Sequence, residues 1–161
     1  LVAQNAHPLA VNLSVVSSPQ VGITYQVGNS LALRPALNLS WSRSTTTLTF
    51  GNTTTTNETT ISRVGILLDA LFARPGDAPV IPYTGLGGGV SFNHSSSGGG
   101  FSGNGPTYSA TALFGLRARL ITRLYIYGEL ALRYSAQRTS NSQSDGLALV
   151  TTPLGVLVYL K

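Results

Sequence analysis

His94 is followed at once by Ser95, Ser96 and Ser97, and Asp145 sits in another polar stretch further along the chain. Histidine, hydroxyl and carboxylate are the groups of a nucleophilic triad, provided that all three come within hydrogen-bond reach. No spacing in the sequence links Asp145 to His94. With 2 histidines and 5 acids in 161 residues, chance supplies such a neighbourhood, and no catalytic residue is expected. His7 has no partner in any pattern and reads as a solvated end residue. The run "GLGGGV" at 85–90 has the glycines of a phosphate loop, but no helix pattern follows and no lysine accompanies it. Those glycines are read as space-savers in a strand. There is no cysteine, which removes disulfides and thiolate metal ligands; neither a metal nor a cofactor is expected.

The remaining chemistry lies in ion pairs. Charged residues make up 9% of the chain, against about 25% in ordinary globular proteins. Ten Lys+Arg against five Asp+Glu give a net charge of +5, and all the cations but Lys161 are arginines, scattered singly. A nucleic-acid surface would cluster them among aromatics; no such cluster exists, so no nucleic-acid partner is expected. Arg34, Arg63, Asp69, Arg117, Arg119, Glu129 and Arg133 instead fall on alternate positions of patterned segments, among Gly, Ala, Ser and Thr. What positions these seven is the question the rest of the sequence has to answer.

The elements that carry them repeat every two residues. In "SLALRPALNLSW" (30–41), Leu31, Leu33, Pro35, Leu37, Leu39 and Trp41 form one face and Ala32, Arg34, Ala36, Asn38 and Ser40 the other, the mark of a strand with one apolar side. Similar segments lie near 9–16, 20–27, 63–70, 80–93, 108–120, 124–135 and 148–160. In the last of these, Ala148, Val150, Thr152, Leu154, Val156 and Val158 share the apolar face, with Leu149, Thr151, Gly155, Leu157 and Tyr159 opposite. Eight antiparallel strands follow, in one domain spanning 1–161. "GNS" (28–30), "RPGDAP" (74–79) and "ITR" (121–123) read as tight turns, whereas "GNTTTTNETT" (51–60), "HSSSGGGFSGNGPT" (94–107) and "TSNSQSDG" (139–146) read as long polar loops. Short turns then gather at one end and long loops at the other, and the first hairpin protrudes least.

The polar faces decide which side is inside. On a soluble sheet they would carry many Lys and Glu and few glycines, since Gly packs nothing in a strand. Turned inward in an eight-stranded barrel, where side chains just fill the interior, small residues such as Gly85, Gly87 and Gly89 make room for arginines and tyrosines. Arginines inside need partners; Asp69 and Glu129 are the available counter-ions, and surplus arginines belong near water at the barrel ends. The leucine faces then meet lipid, and Tyr25, Trp41, Tyr108 and Tyr134 fall towards strand ends, where an aromatic girdle sits. Pro35, Pro82 and Pro153 are expected at rims or bulges, because proline cannot donate to a ladder. No apolar run is long enough for a membrane helix.

With eight alternating segments, unequal turns and an Arg/Glu-bearing polar face, the chain resembles the small eight-stranded outer-membrane barrels of the OmpX, OmpA and OmpW kind over nearly its whole length. The resemblance implies an all-β, up-and-down transmembrane barrel in a bacterial outer membrane. It implies outer-membrane lipid as surroundings, a monomer or one subunit of an envelope assembly, and a structural or surface-interaction role carried by the long loops, which could meet an envelope or surface protein. Rival readings are a narrow conduit for small hydrophobic compounds and a soluble barrel whose leucines line an apolar ligand site. Such barrels commonly end on an aromatic residue; in "GVLVYLK" Tyr159 stands near that place, before Lys161. The start "LVAQNAHPLA" is what a mature or truncated product would show.

Overall fold

Alternation of apolar and polar residues, with Val, Thr and aromatics favouring the pleated backbone, produces strands throughout. The computed structural model describes residues 9–14, 19–51, 53–75, 78–97, 100–138 and 143–160; His7, Val15 and Lys161 lie outside the described residues. The strands are β1 (Leu9–Ser14), β2 (Gln20–Gln26), β3 (Leu31–Phe50), β4 (Thr53–Ala73), β5 (Val80–Ser97), β6 (Gly100–Ile121), β7 (Leu124–Arg138) and β8 (Gln143–Tyr159). Each pairs antiparallel with the next, and β1 pairs with β8, so the sheet closes into a ring. At the short-turn end, Ala73 donates to Ser30, Arg119 to Pro79, Tyr159 to Arg123 and Leu160 to Leu9 through backbone bonds of 2.8–2.9 Å. These bonds stitch each turn to the neighbouring strand.

The leucine-rich faces point outward. Leu33, Leu37, Leu39, Val64, Ile66, Leu68, Phe114, Leu116, Leu130 and Leu132 are exposed, while Ala32, Arg34, Ala36, Asn38, Asp69, Thr111 and Arg117 are buried. That distribution is the reverse of a soluble calyx, and it is the only one that matches the two faces to lipid and to a packed interior.

Three expectations require correction. The described parts of the polar stretches 51–60, 94–107 and 139–146 are largely strand: β4 begins at Thr53, β5 runs to Ser97, β6 begins at Gly100 and β8 at Gln143. The β3–β4 ribbon turns at Gly51, whose φ is 58°, and Phe50 lies opposite Thr53. Gly-Asn between threonine runs is a hairpin signal in sequence, and outside the membrane such a ribbon satisfies its own backbone. Pro35 sits at neither rim nor bulge but in mid-strand, opposite Leu68 on β4, where the β2–β3 ladder skips between the pairs Gly22–Ala36 and Tyr25–Leu33. Pro82 is near the start of β5.

The third correction concerns β8. Tyr127 lies opposite Gly155 but Glu129 opposite Thr152, so Pro153 and Leu154 together stand against Gly128. This bulge provides the site a strand proline needs, and one extra residue exchanges the two faces beyond it. Leu147 and Leu149 therefore point outward at 66% and 67% exposure, while Ala148 and Val150 line the lumen. The alternation read straight through the bulge assigned this half of β8 the wrong way round.

Candidate functional site

Ladder register brings the inner charges to particular heights. Arg34 lies directly opposite Asp69, and its Nε and Nη2 donate to Asp69 Oδ2 at 3.1 and 2.9 Å. Its Nη1 and Nη2 also donate to Glu129 Oε1 and Oε2 at 2.5 and 3.1 Å. β3 and β7 stand four places apart in a ring of eight, so this two-pronged bond crosses the barrel's diameter. The Tyr83 hydroxyl donates to Glu129 Oε1 at 2.7 Å, and the Tyr127 ring centroid lies 5.9 Å from the Arg34 guanidinium carbon. Side chains from β3, β4, β5 and β7 thus form one belt across the lumen. Charge-assisted forks of this kind are the strong class of hydrogen bond, and away from bulk water they are little screened.

Glycine makes the belt fit. Gly87 lies opposite Asp69, Gly115 opposite Tyr83 and Gly155 opposite Tyr127. A Cβ on any of the three would collide with the facing carboxylate or ring. The "GLGGGV" run is therefore part of a packing pattern in which Asp69, Tyr83 and Tyr127 each face a glycine across the ladder; Gly85 faces Leu71 and Gly89 faces Leu67 in the same way.

The seven charged positions do not form one network. Arg34, Asp69 and Glu129 meet. Arg117 is buried towards the short-turn end, donating to the Tyr159 hydroxyl at 3.2 Å, with its Nε lacking a partner among the described residues. Arg63 donates through Nε to Asn93 Oδ1 at 2.6 Å. Arg133 stands above the belt, and Arg119 is exposed near the turn after β6. Tyr25, Trp41, Tyr108 and Tyr134 are all exposed on the outer wall, Tyr25 near the short-turn end and the other three towards the tall hairpins. Sequence reasoning left Tyr83 and Tyr127 out of the set; inward parity and a facing glycine were the available signals. His94 on β5 and Asp145 on β8 are separated around the ring by β6 and β7, and Asp145 accepts a 3.5 Å bond from Tyr134.

The belt divides the lumen. Below it lies a space of about 30 Å³ bordered by Arg34, Tyr83, Arg117, Tyr127 and Leu157, close to the share of a single water. Above it opens a polar vestibule of about 380 Å³, with Asn38, Arg63, Asn93, Ser109, Arg133 and Gln137 on its walls.

An eight-stranded antiparallel ring, closed by β1 on β8 and with apolar outer walls, has counterparts among solved structures. Neisserial surface protein A matches with a TM-score of 0.58 and 18% identity, over 94% of this chain and 93% of that one. A major outer membrane protein of Thermus thermophilus matches with a TM-score of 0.57 and 14% identity, over 94% and 98%. The fold is that of a small outer-membrane barrel. No protein-family model matches the sequence, and a search of curated proteins gives no match.

Proposed function

We propose that this chain is an integral, non-enzymatic protein of a bacterial outer membrane, with a lumen closed to through-flow and a role carried by its tall hairpins at the surface. The observation that carries the reading is the pairing of a lipid-compatible outer wall with a braced diameter inside: a conduit has no use for Arg34 bound to carboxylates on opposite walls. The hairpins β3–β4, β5–β6 and β7–β8 rise beyond the apolar band as polar ribbons rich in Ser, Thr and Asn. On β3–β4, Arg43 and Glu58 pair at 2.6 Å, an exposed contact whose contribution is small. Projecting, self-paired ribbons suit contact with a macromolecule better than they suit solute passage, and one structural counterpart is named a surface protein.

The test is twofold. In planar bilayers the purified barrel is expected to pass no steady current, and liposomes carrying it to show no sugar-driven swelling. Discrete conductance steps in the wild-type protein would replace this reading with the conduit. Cells displaying a chain in which residues 43–60 are replaced by a two-residue turn are expected to retain inserted barrel but lose binding to envelope or host surface proteins that wild type captures. Unchanged capture would remove that hairpin from the role.

A further inference from the structure

Charge is unevenly divided between the two ends of the barrel. Arg34 is bound within the belt, and Arg43 is paired with Glu58 on the β3–β4 ribbon. Arg74, Arg119 and Arg123 stand at the short-turn end: Arg74 follows the last residue of β4, Arg119 is near the end of β6 and Arg123 lies in the turn before β7. Arg74 and Arg119 are exposed and Arg123 is half-buried. None of the three guanidiniums has a hydrogen bond or ion pair among the described residues. The described acids, Glu58, Asp69, Glu129 and Asp145, all lie in the belt or on the tall hairpins. Asp77 is the only acid outside the described residues, and wherever it lies it offsets at most one of the three cations. Residues 1–8 contain no acid, and residue 161 is a lysine.

The three cations occupy one arc of the rim. The Arg119 N–H donates to the Pro79 carbonyl at 2.9 Å, so the β4–β5 turn, which Arg74 opens, lies beside the end of β6 and its turn into β7. On the opposite arc, residues 26–30 and 159–160 are uncharged. Apolar side chains reach the same level as the arginines. Phe72 precedes Arg74 by two residues and Val80 opens β5, and both are exposed. The β6–β7 register shifts between Arg119 and Ile121, and the consecutive Leu120 and Ile121 are both exposed, at 55% and 65%. Arg119 keeps the inner parity of Arg117 but, at the open end of its strand, is exposed rather than buried. Apolar wall thus gives way to guanidiniums within a residue or two, as long cationic side chains do where hydrocarbon meets head groups.

From this arrangement we infer that the β4–β7 arc of the short-turn rim gathers anionic glycerophospholipids, with Arg74, Arg119 and Arg123 drawing in their phosphodiester head groups and Phe72, Val80, Leu120 and Ile121 meeting their chains. The inference rests on the membrane reading above. Arginine presents a planar fork to phosphate oxygens. A zwitterionic lipid carries its own cation beside the phosphate, so uncompensated arginines select lipids of net negative charge, and the preference weakens as salt screens it. A soluble acidic partner would have no use for the exposed Leu120 and Ile121 at the same level; a bilayer has.

Trp41 is the only tryptophan and is exposed on the outer wall towards the tall hairpins, so the wild-type chain reports on lipid at the other end. A Trp41→Phe, Leu120→Trp chain reports on the arc itself. Both are reconstituted in phosphatidylcholine vesicles doped with brominated phosphatidylglycerol or with brominated phosphatidylcholine of the same chains. At the arc, the brominated phosphatidylglycerol is expected to quench with a relative association at least about threefold that of the phosphatidylcholine. High salt should bring that ratio close to one, as should Arg74→Gln, Arg119→Gln and Arg123→Gln together, whereas Lys at the same three positions should keep most of it. Trp41 should show a smaller ratio. Each variant is first shown to fold by its circular dichroism and heat-dependent gel mobility. Equal quenching by the two lipids at the arc, a ratio unchanged in the Gln variant, or an equal ratio at Trp41 would each overturn the proposal. Loss of the preference on adding soluble glycerophosphate at matched ionic strength would assign the arc to free phosphate esters and overturn it as well. Failure of the barrel to fold in any lipid would count against the membrane reading, whereas equal quenching in a folded barrel would count against the arc.

Discussion

Replacing Arg34 by methionine should be among the most damaging single changes in the chain. Arg34 is 6% exposed, and its guanidinium makes four hydrogen bonds to two carboxylates. Its loss strands the negative charges of Asp69 and Glu129 together, in a packed wall above a lumen space of only about 30 Å³. Removing one partner of a buried ion pair destabilises by ~3–5 kcal/mol, and here two acids are stranded rather than one, so the upper part of that range applies. The remedy distinguishes charge from shape. If the cost is that of stranded carboxylates, Arg34→Met combined with Asp69→Asn and Glu129→Gln, which keep side-chain volume beside Gly87 and the acceptor for Tyr83, should recover ~2 kcal/mol or more. The assay is urea unfolding in phospholipid vesicles followed through Trp41, with gel mobility before and after heating as the second probe. A single variant within ~1 kcal/mol of wild type, or a triple variant no more stable than the single one, would refute the reasoning.

Three further outcomes follow from the geometry. Gly115→Val should destabilise by ~1–3 kcal/mol through overpacking against Tyr83, and Tyr83→Ala in the same chain should relieve part of that clash, which thermal unfolding of the two variants and the double would read. Leu149→Arg should destabilise by up to ~2–4 kcal/mol by exposing a cation to lipid, whereas Ala148→Arg, one residue away but facing the vestibule, should cost less in the same vesicle titration; the opposite order would put the bulge at Pro153 and Leu154 in error. Replacing residues 43–60 by a two-residue turn should change stability by less than ~1 kcal/mol, since the paired Arg43 and Glu58 are exposed, as urea midpoints would report.

How much of this was legible beforehand depended on whether the information is local. Side-chain parity is local, so the direction of Arg34, Asp69, Arg117, Glu129 and the leucines could be read from a few neighbouring residues. Height is not local. Seven charged residues share the inner parity, but only ladder register places Arg34 opposite Asp69 and brings Glu129 across the diameter, and no register is visible within one strand. Parity itself fails where a residue is inserted: Pro153 marked the bulge, yet reading through it put Leu149 inside and Val150 outside. The Thr-rich stretch after Gly51 has the polarity of a loop but the β-propensity of a strand, and its pairing with β3 shows that the second prevails. The glycines of 85–89 were legible as small, but their partners Asp69, Leu71 and Leu67 became visible only through the pairing of β4 with β5. The shortness of the first hairpin was readable; how far β3 and β8 run beyond its described strands was not.

The most direct test of the central claim, that the leucine faces meet lipid and the arginine faces meet the lumen, is refolding of the urea-unfolded chain in plain buffer and in detergent micelles or lipid vesicles, followed by far-ultraviolet circular dichroism and sizing. The account predicts β-structure and a monodisperse, heat-modifiable species only where micelles or vesicles are present. A folded, monodisperse protein in buffer alone would place the leucines in a core and contradict it.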